Sequence, residues 1–414
     1  MSHSPTISII GGGAAGMMVA ATLLEAGRPG QQIHLFEKNP GLGAKVIISG
    51  GGRCNITTGH YKRQDLSDKY PRGSDFLQPA LKCFGPRSII KRFEQHALPT
   101  KQETDLRIFP LSDDGKDVVG VFADLFTQHH LQLHLKTSIT TVTRQDDQFQ
   151  LHTGAQTYSS DILIITTGGN AYAHTGSSGD GYSFATALGH SITPLGPSLN
   201  SFMTVQSDRH ACSGISFPTA RLCSSIDPQI QISGPVLLTH FGISGPAVFA
   251  FSAHIPYSTI DKDHPYHVLL QPIAEYDTSR RDRFLIDQSN SSPKKQIKTI
   301  ISGLFPQKVS ELICKQVTIH TEKPIGSLTK TERQTLAQLL GAGIPLSLIQ
   351  RRPGDEFVTA GGVTLSEVDT HTGQSKICPG LYFAGEVLDI DGYTGGYNLT
   401  ASRAMGRLVG KSIG

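Results

Sequence analysis

The chain of 414 residues is 38% hydrophobic and 17% charged, with a formal net charge of +3. The length suggests two or three domains with ample core, and so small a charge gives no reason to expect a nucleic acid or membrane partner. Six cysteines without a C-x-x-C exclude a disulfide scaffold and a vicinal-dithiol oxidoreductase and offer no zinc spacing; no apolar run approaches the length of a membrane span.

The apolar run Ile7 to Ile10 predicts a buried parallel strand. It enters Gly11-Gly12-Gly13-Ala14-Ala15-Gly16, a G-x-G-x-x-G. A helical pattern to Leu24 follows, then a second strand, Ile33 to Phe36, ending in Glu37. Strand, turn, helix, strand and acid in this order form a dinucleotide fingerprint. Gly11 allows the tight turn, Gly13 lets backbone approach a pyrophosphate, and Gly16 lets the helix pack closely. The helix N-terminus presents its N–H groups to the phosphates. Glu37 stands where an acid accepts hydrogen bonds from an adenosine ribose, which argues against a 2′-phosphate and leaves FAD or NAD.

Residues 41–58 are glycine-rich and irregular. A helical pattern at 76–96 breaks near Gly85-Pro86, and a strand at Ile108 to Pro110 precedes a helix over 117–130. Segments 131–135, 139–144 and 148–153 alternate like an antiparallel meander. Asp161 to Ile165 returns as a buried strand ending in Thr166-Thr167-Gly168-Gly169, small residues suited to lie against a dinucleotide. Composition changes near Pro194. Residues 197–275 favour short β runs, and 277–343 look helical, most clearly Thr329 to Leu340 behind an N-cap-like Thr. Gly380 to Ala384 is a further buried strand that delivers Gly385 and Glu386 at its carboxyl end. Glu386 could accept hydrogen bonds from a ribityl chain, which only a flavin dinucleotide has. Gly395-Gly396-Tyr397-Asn398 opens a final helix to Ile413, whose positive end suits the pyrimidine edge of a flavin.

The blocks SGGGRCNITT, RIFPLSDDGKDV, LLTHFGISGPAV, VTAGGVTLSEV and GLYFAGEVLDIDGYTGGYNL are similar to those of a bacterial NAD(P)/FAD-dependent oxidoreductase family. It has BaiN-like and aminoacetone-oxidase-like members and sits within the two-dinucleotide-binding-domains flavoproteins. The resemblance covers nearly the whole chain. It implies an α/β fold, a Rossmann-like FAD-binding domain with an inserted β-rich domain and a small helical subdomain. The expected parts are 1–193 and 346–414 for the FAD-binding domain, 194–276 for the β-rich insert and 277–345 for its helical part. By position, Gly11, Gly13, Ala14, Ala15 and Gly16 would hold the pyrophosphate and Glu37 the ribose. Lys38, Lys45, Gly50, Gly51, Gly52, Arg53, Cys54 and Asn55 would line phosphates and flavin, and Ile139 would meet adenine through its backbone. Thr167, Gly168 and Gly169 would flank the cofactor, while Gly385, Glu386, Gly396, Tyr397, Asn398 and Leu399 would hold ribityl and ring. The chain departs from the family's pattern at Thr400, often Gln, and at Thr372-Gly373-Gln374-Ser375, often Thr-Met-Glu-Ser. Both departures are expected on or near the ring side.

The resulting reading is a cytoplasmic FAD-dependent oxidoreductase acting on a small organic substrate. NAD(P)H is expected only as a transient electron donor, because no second complete G-x-G-x-x-G marks a nicotinamide domain. No residue carries a signature of acid–base catalysis, and no metal cluster is visible. Cys54 beside Arg53 could have a lowered pKa and react, or simply be a small residue in a tight loop. His240 could face the site or be a satisfied loop histidine. Arg280-Arg281-Asp282-Arg283 with Lys294, Lys295 and Lys298 reads as a solvated helix face. The alternatives are a flavin-linked tRNA-modification or RNA-binding factor, and a non-catalytic FAD redox sensor.

Overall fold

A computed structural model of the chain describes residues 5–205, 212–272 and 278–414. The boundary expected between 276 and 277 lies outside the described residues. The buried apolar runs need cover on both faces, and they find it in one parallel sheet. Its strand order is Leu381–Phe383, Ile162–Ile165, Ile7–Ile10, Ile33–Phe36, Gln132–His134. Ile7 to Ile10 sits between Ile162–Ile165 and Ile33–Phe36, paired in parallel with each. The first helix, Ala14–Glu25, buries eleven of its twelve residues and packs against the final helix, Tyr397–Ile413.

One expectation is corrected. The segment at 131–135 is not part of the meander: Gln132–His134 joins the parallel sheet as its edge strand beside Ile33–Phe36. An edge strand is covered incompletely, so all three of its residues are half-buried and it reads like a surface strand. The antiparallel meander is Thr141–Gln145, Gln148–His152 and Thr157–Ser160.

The chain divides into two compact units, Met1–Ser198 with Glu356–Gly414, and Leu199–Asp355. The first contains the parallel sheet and is built on one apolar core. The second contains a closed six-stranded barrel, in the order Phe202–Thr204, Gly242–Ser244, Gln231–Leu238, Ser216–Ser224, Tyr266–Gln271, Ile344–Arg351. It also holds the helices Thr278–Ser291, Ile297–Ile301, Gln307–Gln316 and Lys330–Ala342 around a core of its own. Thr329 caps the last of these with a complete capping box to Glu332. The fold is thus α/β, a Rossmann-like domain interrupted by a β-barrel with a helical part. Among the described residues, no helix is long and apolar enough to cross a membrane.

Candidate functional site

The glycine turn closes as its spacing requires. Gly11 has φ +108°, and a Cβ there would lie 2.6 Å from Thr166 O; at Gly16 it would lie 2.0 Å from Gly11 O. A Cβ on Gly13 would meet nothing within 4 Å. Ala14 and Ala15 start the first helix without a side-chain cap, so its first-turn N–H groups suit a phosphate. Glu37 is buried and already tied: Oε2 accepts from Gly12 N–H, and Oε1 from the backbone and side-chain N–H of Asn39, each at 2.8 Å. Its carboxylate therefore fixes the turn to the second strand. Ile139 lies in the segment that runs back along Glu37 and Asn39 through Thr137 and Lys136, with its side chain in the core. That leaves its backbone as the part able to serve a ligand. Lys38 is paired with Asp180 at 2.6 Å.

Three segments far apart in sequence meet at Lys45. Its Nζ lies 2.9 Å and 3.2 Å from the two carboxylate oxygens of Glu386. Thr359 N–H donates to Glu386 Oε1 at 3.0 Å, and Thr359 Oγ1 accepts from Asn170 N–H at 2.7 Å. A Cβ on Gly169 would lie 2.9 Å from Glu386 Oε1. Gly168 precedes it, and the buried Thr167 Oγ1 has no partner. Tyr182 brings a buried hydroxyl beside Thr359 and Glu386, and burial, then the Glu386 charge, push its pKa up. Gly385 packs against Ala15 of the first helix. Gly385, Glu386, Asn398 and Ser402 line a small recess. Uncapped N–H groups, an open Gly13 and the orphaned Thr167 hydroxyl beside small residues fit a flavin dinucleotide. Thr359 and Tyr182 were missed in the sequence. The block VTAGGVTLSEV pointed to Thr359's neighbourhood, but nothing in the pattern assigns it to Glu386.

The start of the final helix is held by packing and hydrogen bonds. Gly396 has φ +94°, and a Cβ there would lie 2.5 Å from Thr57 O. This backbone contact by itself requires glycine. The Asn398 side chain bonds Gly392 N–H at 2.8 Å and Gly392 O at 2.7 Å, so it builds the preceding loop. Tyr397 is buried, its carbonyl accepting from Tyr70 at 2.9 Å, and Leu399 packs against the core. Thr400 is fully buried and bonds Thr57 Oγ1 and Gly396 O, each at 2.7 Å. In the other departure, Ser375 is buried and bonds the buried His190 at 2.8 Å, while Thr372 and Gln374 are half-buried.

In the 50–55 loop, Gly50 abuts Phe109, while Gly51 and Gly52 have open surroundings. The Arg53 guanidinium lies 2.6 Å from Glu103 and stacks 3.9 Å from the Phe109 ring. Of the two readings of Cys54, its surroundings favour the small residue in a tight loop. Cys54 is 0% exposed, and burial pushes its thiol up, with the Arg403 charge only partly opposing. His240 is exposed in the second unit, edge-on to Phe241. Among the described residues there is no group of three or more metal-binding side chains.

The profile of the HI0933-like protein Rossmann domain matches residues 5–412. A 3-dehydro-bile acid Δ(4,6)-reductase from Clostridium scindens is 27% identical over 410 residues, covering 98% of each chain. A ribosomal RNA dihydrouridine synthase from Haemophilus influenzae is 29% identical over 415 residues, covering 96% of each. The structure of a 3-ketosteroid Δ1-dehydrogenase from Sterolibacterium denitrificans superposes with a TM-score of 0.52 at 11% identity, covering 99% of each chain, a likeness of fold.

Proposed function

The chain belongs to the HI0933-like family, and on that premise we propose that it reduces a carbon–carbon double bond in an electron-poor organic substrate. It is an FAD-dependent oxidoreductase. When bound, FAD supplies the hydride chemistry, and the protein supplies binding, orientation and electrostatics. The observation that carries the reading is the meeting of Lys45, Gly169 and Glu386, each from a segment read separately as a flavin contact. In this reading the first helix holds the pyrophosphate through N–H groups of the turn Gly11 to Gly16. Glu37 adds the ribose to its existing ties. Glu386, oriented by Lys45 and Thr359, accepts from ribityl hydroxyls, and the start of the final helix faces the ring. The double bond is supported by the relatives' names, each of which describes saturation of such a bond. NAD(P)H is the proposed donor, bound transiently.

A second reading takes RNA as the substrate, and charge distribution favours it. Residues 278–342 hold eleven Lys and Arg against five Asp and Glu, a net +6, so the rest of the +3 chain carries −3. One experiment tests both. The FAD-loaded protein is reduced anaerobically with NADH or NADPH and offered either a conjugated steroid dienone or a uridine-containing RNA, with flavin absorbance as readout. Reoxidation by the dienone supports the small-molecule substrate, and by the RNA the second reading. A flavin that neither NADH nor NADPH reduces removes the proposed donor. A reduced flavin that no conjugated alkene reoxidises overturns the proposed reaction.

A further inference from the structure

We infer that Asn55 is a positioning residue, one that fixes the positive end of the final helix instead of touching the cofactor. This rests on the reading of that helix end as the flavin's neighbour. Residues 54–57 are tied to the helix at every position. With its oxygen turned to the helix, the Asn55 amide accepts the Gly396 N–H at 2.8 Å and donates to Thr57 O at 2.9 Å. Ile56 O accepts from the Arg403 guanidinium. Thr57 Oγ1 donates to Thr400 Oγ1, which donates in turn to Gly396 O, both at 2.7 Å. The Cys54 sulfur lies 3.8 Å from Arg403 Nη2. All of this is out of water: Cys54, Ile56, Thr57, Thr400 and Arg403 are 0% exposed and Asn55 is 7% exposed.

The clasp uses the Gly396 N–H and leaves the first-turn N–H groups of Tyr397, Asn398 and Leu399 without a side-chain cap. The helix end thus keeps its partial positive charge for a facing anion. Where the clasp holds that end, it sets the field on the flavin and hence the midpoint potential.

The test uses the full-length FAD-loaded protein. Midpoint potential is read against a reference dye, FAD affinity by flavin fluorescence, and stability by melting of the apoprotein. Asn55→Asp keeps an acceptor for Gly396 N–H, loses the donor to Thr57 and adds a negative charge at the positive end. The potential should move negative while FAD affinity falls by no more than about tenfold. Thr57→Val removes one uncharged link and should move the potential the same way by less, and Thr57→Ser should restore it. An Asn55→Asp protein that holds FAD at the wild-type potential overturns the inference, as does a Thr57→Val potential equal to wild type. If Asn55→Asp does not fold, the Thr57→Val and Thr57→Ser pair decides. Failure of the wild-type protein to bind FAD would instead overturn the cofactor reading beneath.

Discussion

Cys54 stands beside Arg53 in sequence, yet its sulfur faces Arg403 in the core while the Arg53 side chain turns to Glu103. A neighbouring cation lowers a thiol pKa only where the thiolate is solvated or directly paired. Cys54, Cys212, Cys314 and Cys378 are buried, whereas Cys83 and Cys223 are partly exposed. A disulfide reagent should therefore modify two thiols in the native protein and six after unfolding. A third fast thiol that vanishes in Cys54→Ser would restore Cys54 as a reactive group. Glu37 makes a second case. Its position in the fingerprint was legible, but its ties to Gly12 and Asn39 were not, because they depend on how the turn closes. Glu37→Ala should cost ~1–3 kcal/mol of apoprotein stability, the scale of hydrogen bonds to a charged group, as well as weakening FAD. Unchanged apoprotein melting would show that the ties to Gly12 and Asn39 contribute nothing.

At the scale of elements, Gly396 separates a ring contact from a packing contact. Gly396→Val would place a branched carbon against Thr57 O in a backbone region hostile to it. It should destabilise the apoprotein by ~1–3 kcal/mol, read by denaturant unfolding, whether or not flavin is present. A variant as stable as wild type without FAD would return the glycine requirement to the ring. The elements themselves were largely readable. Ile7–Ile10, Ile33–Phe36, Ile162–Ile165 and Leu381–Phe383 announce a parallel sheet because burial on both faces leaves continuous apolar runs. Thr329 was readable because a capping box is local. Gln132–His134 was not, since an edge strand alternates like a surface one. The ties of 54–57 to the final helix were not either, because nothing local pairs Thr57 with Thr400. The meeting of Lys45, Thr359 and Glu386 was half readable: two of the three were named, and their contact required the sheet order.

For the whole molecule, acid should act in two stages, and the sign follows from which groups are shifted. Burial pulls His34, His134 and His190 below the ordinary value of 6.5; the His34 charge adds to the effect at His134, while Glu367 opposes it at His190. Each imidazole is held neutral in the fold, where His34 and His134 share a 3.0 Å hydrogen bond and His190 bridges Ser375 and Glu367. The unfolded chain takes up these protons first, so it binds more protons than the folded chain below about pH 6.5. Stability should be full above that pH and decline as pH falls through it. The carboxylates act in the same direction at lower pH. The Lys323 hydrogen bond and the Thr329 N–H hold Glu332 down to about 2, against an ordinary 4.5. Bonds to Arg92 and Arg407 outweigh burial to lower Glu25 as well. Their stabilisation is present above pH 4.5 and lost as pH falls toward their folded values. Melting temperature of the apoprotein, measured from pH 8 down to pH 3, should therefore be flat at first. It should fall as pH drops below about 6.5, and then fall more steeply below about pH 4.5. His190→Gln, which cannot be protonated, should make the first decline shallower and leave the second. A melting temperature constant from pH 8 to pH 5 would mean that the three imidazoles titrate alike in folded and unfolded chains, and that their burial carries no pH dependence.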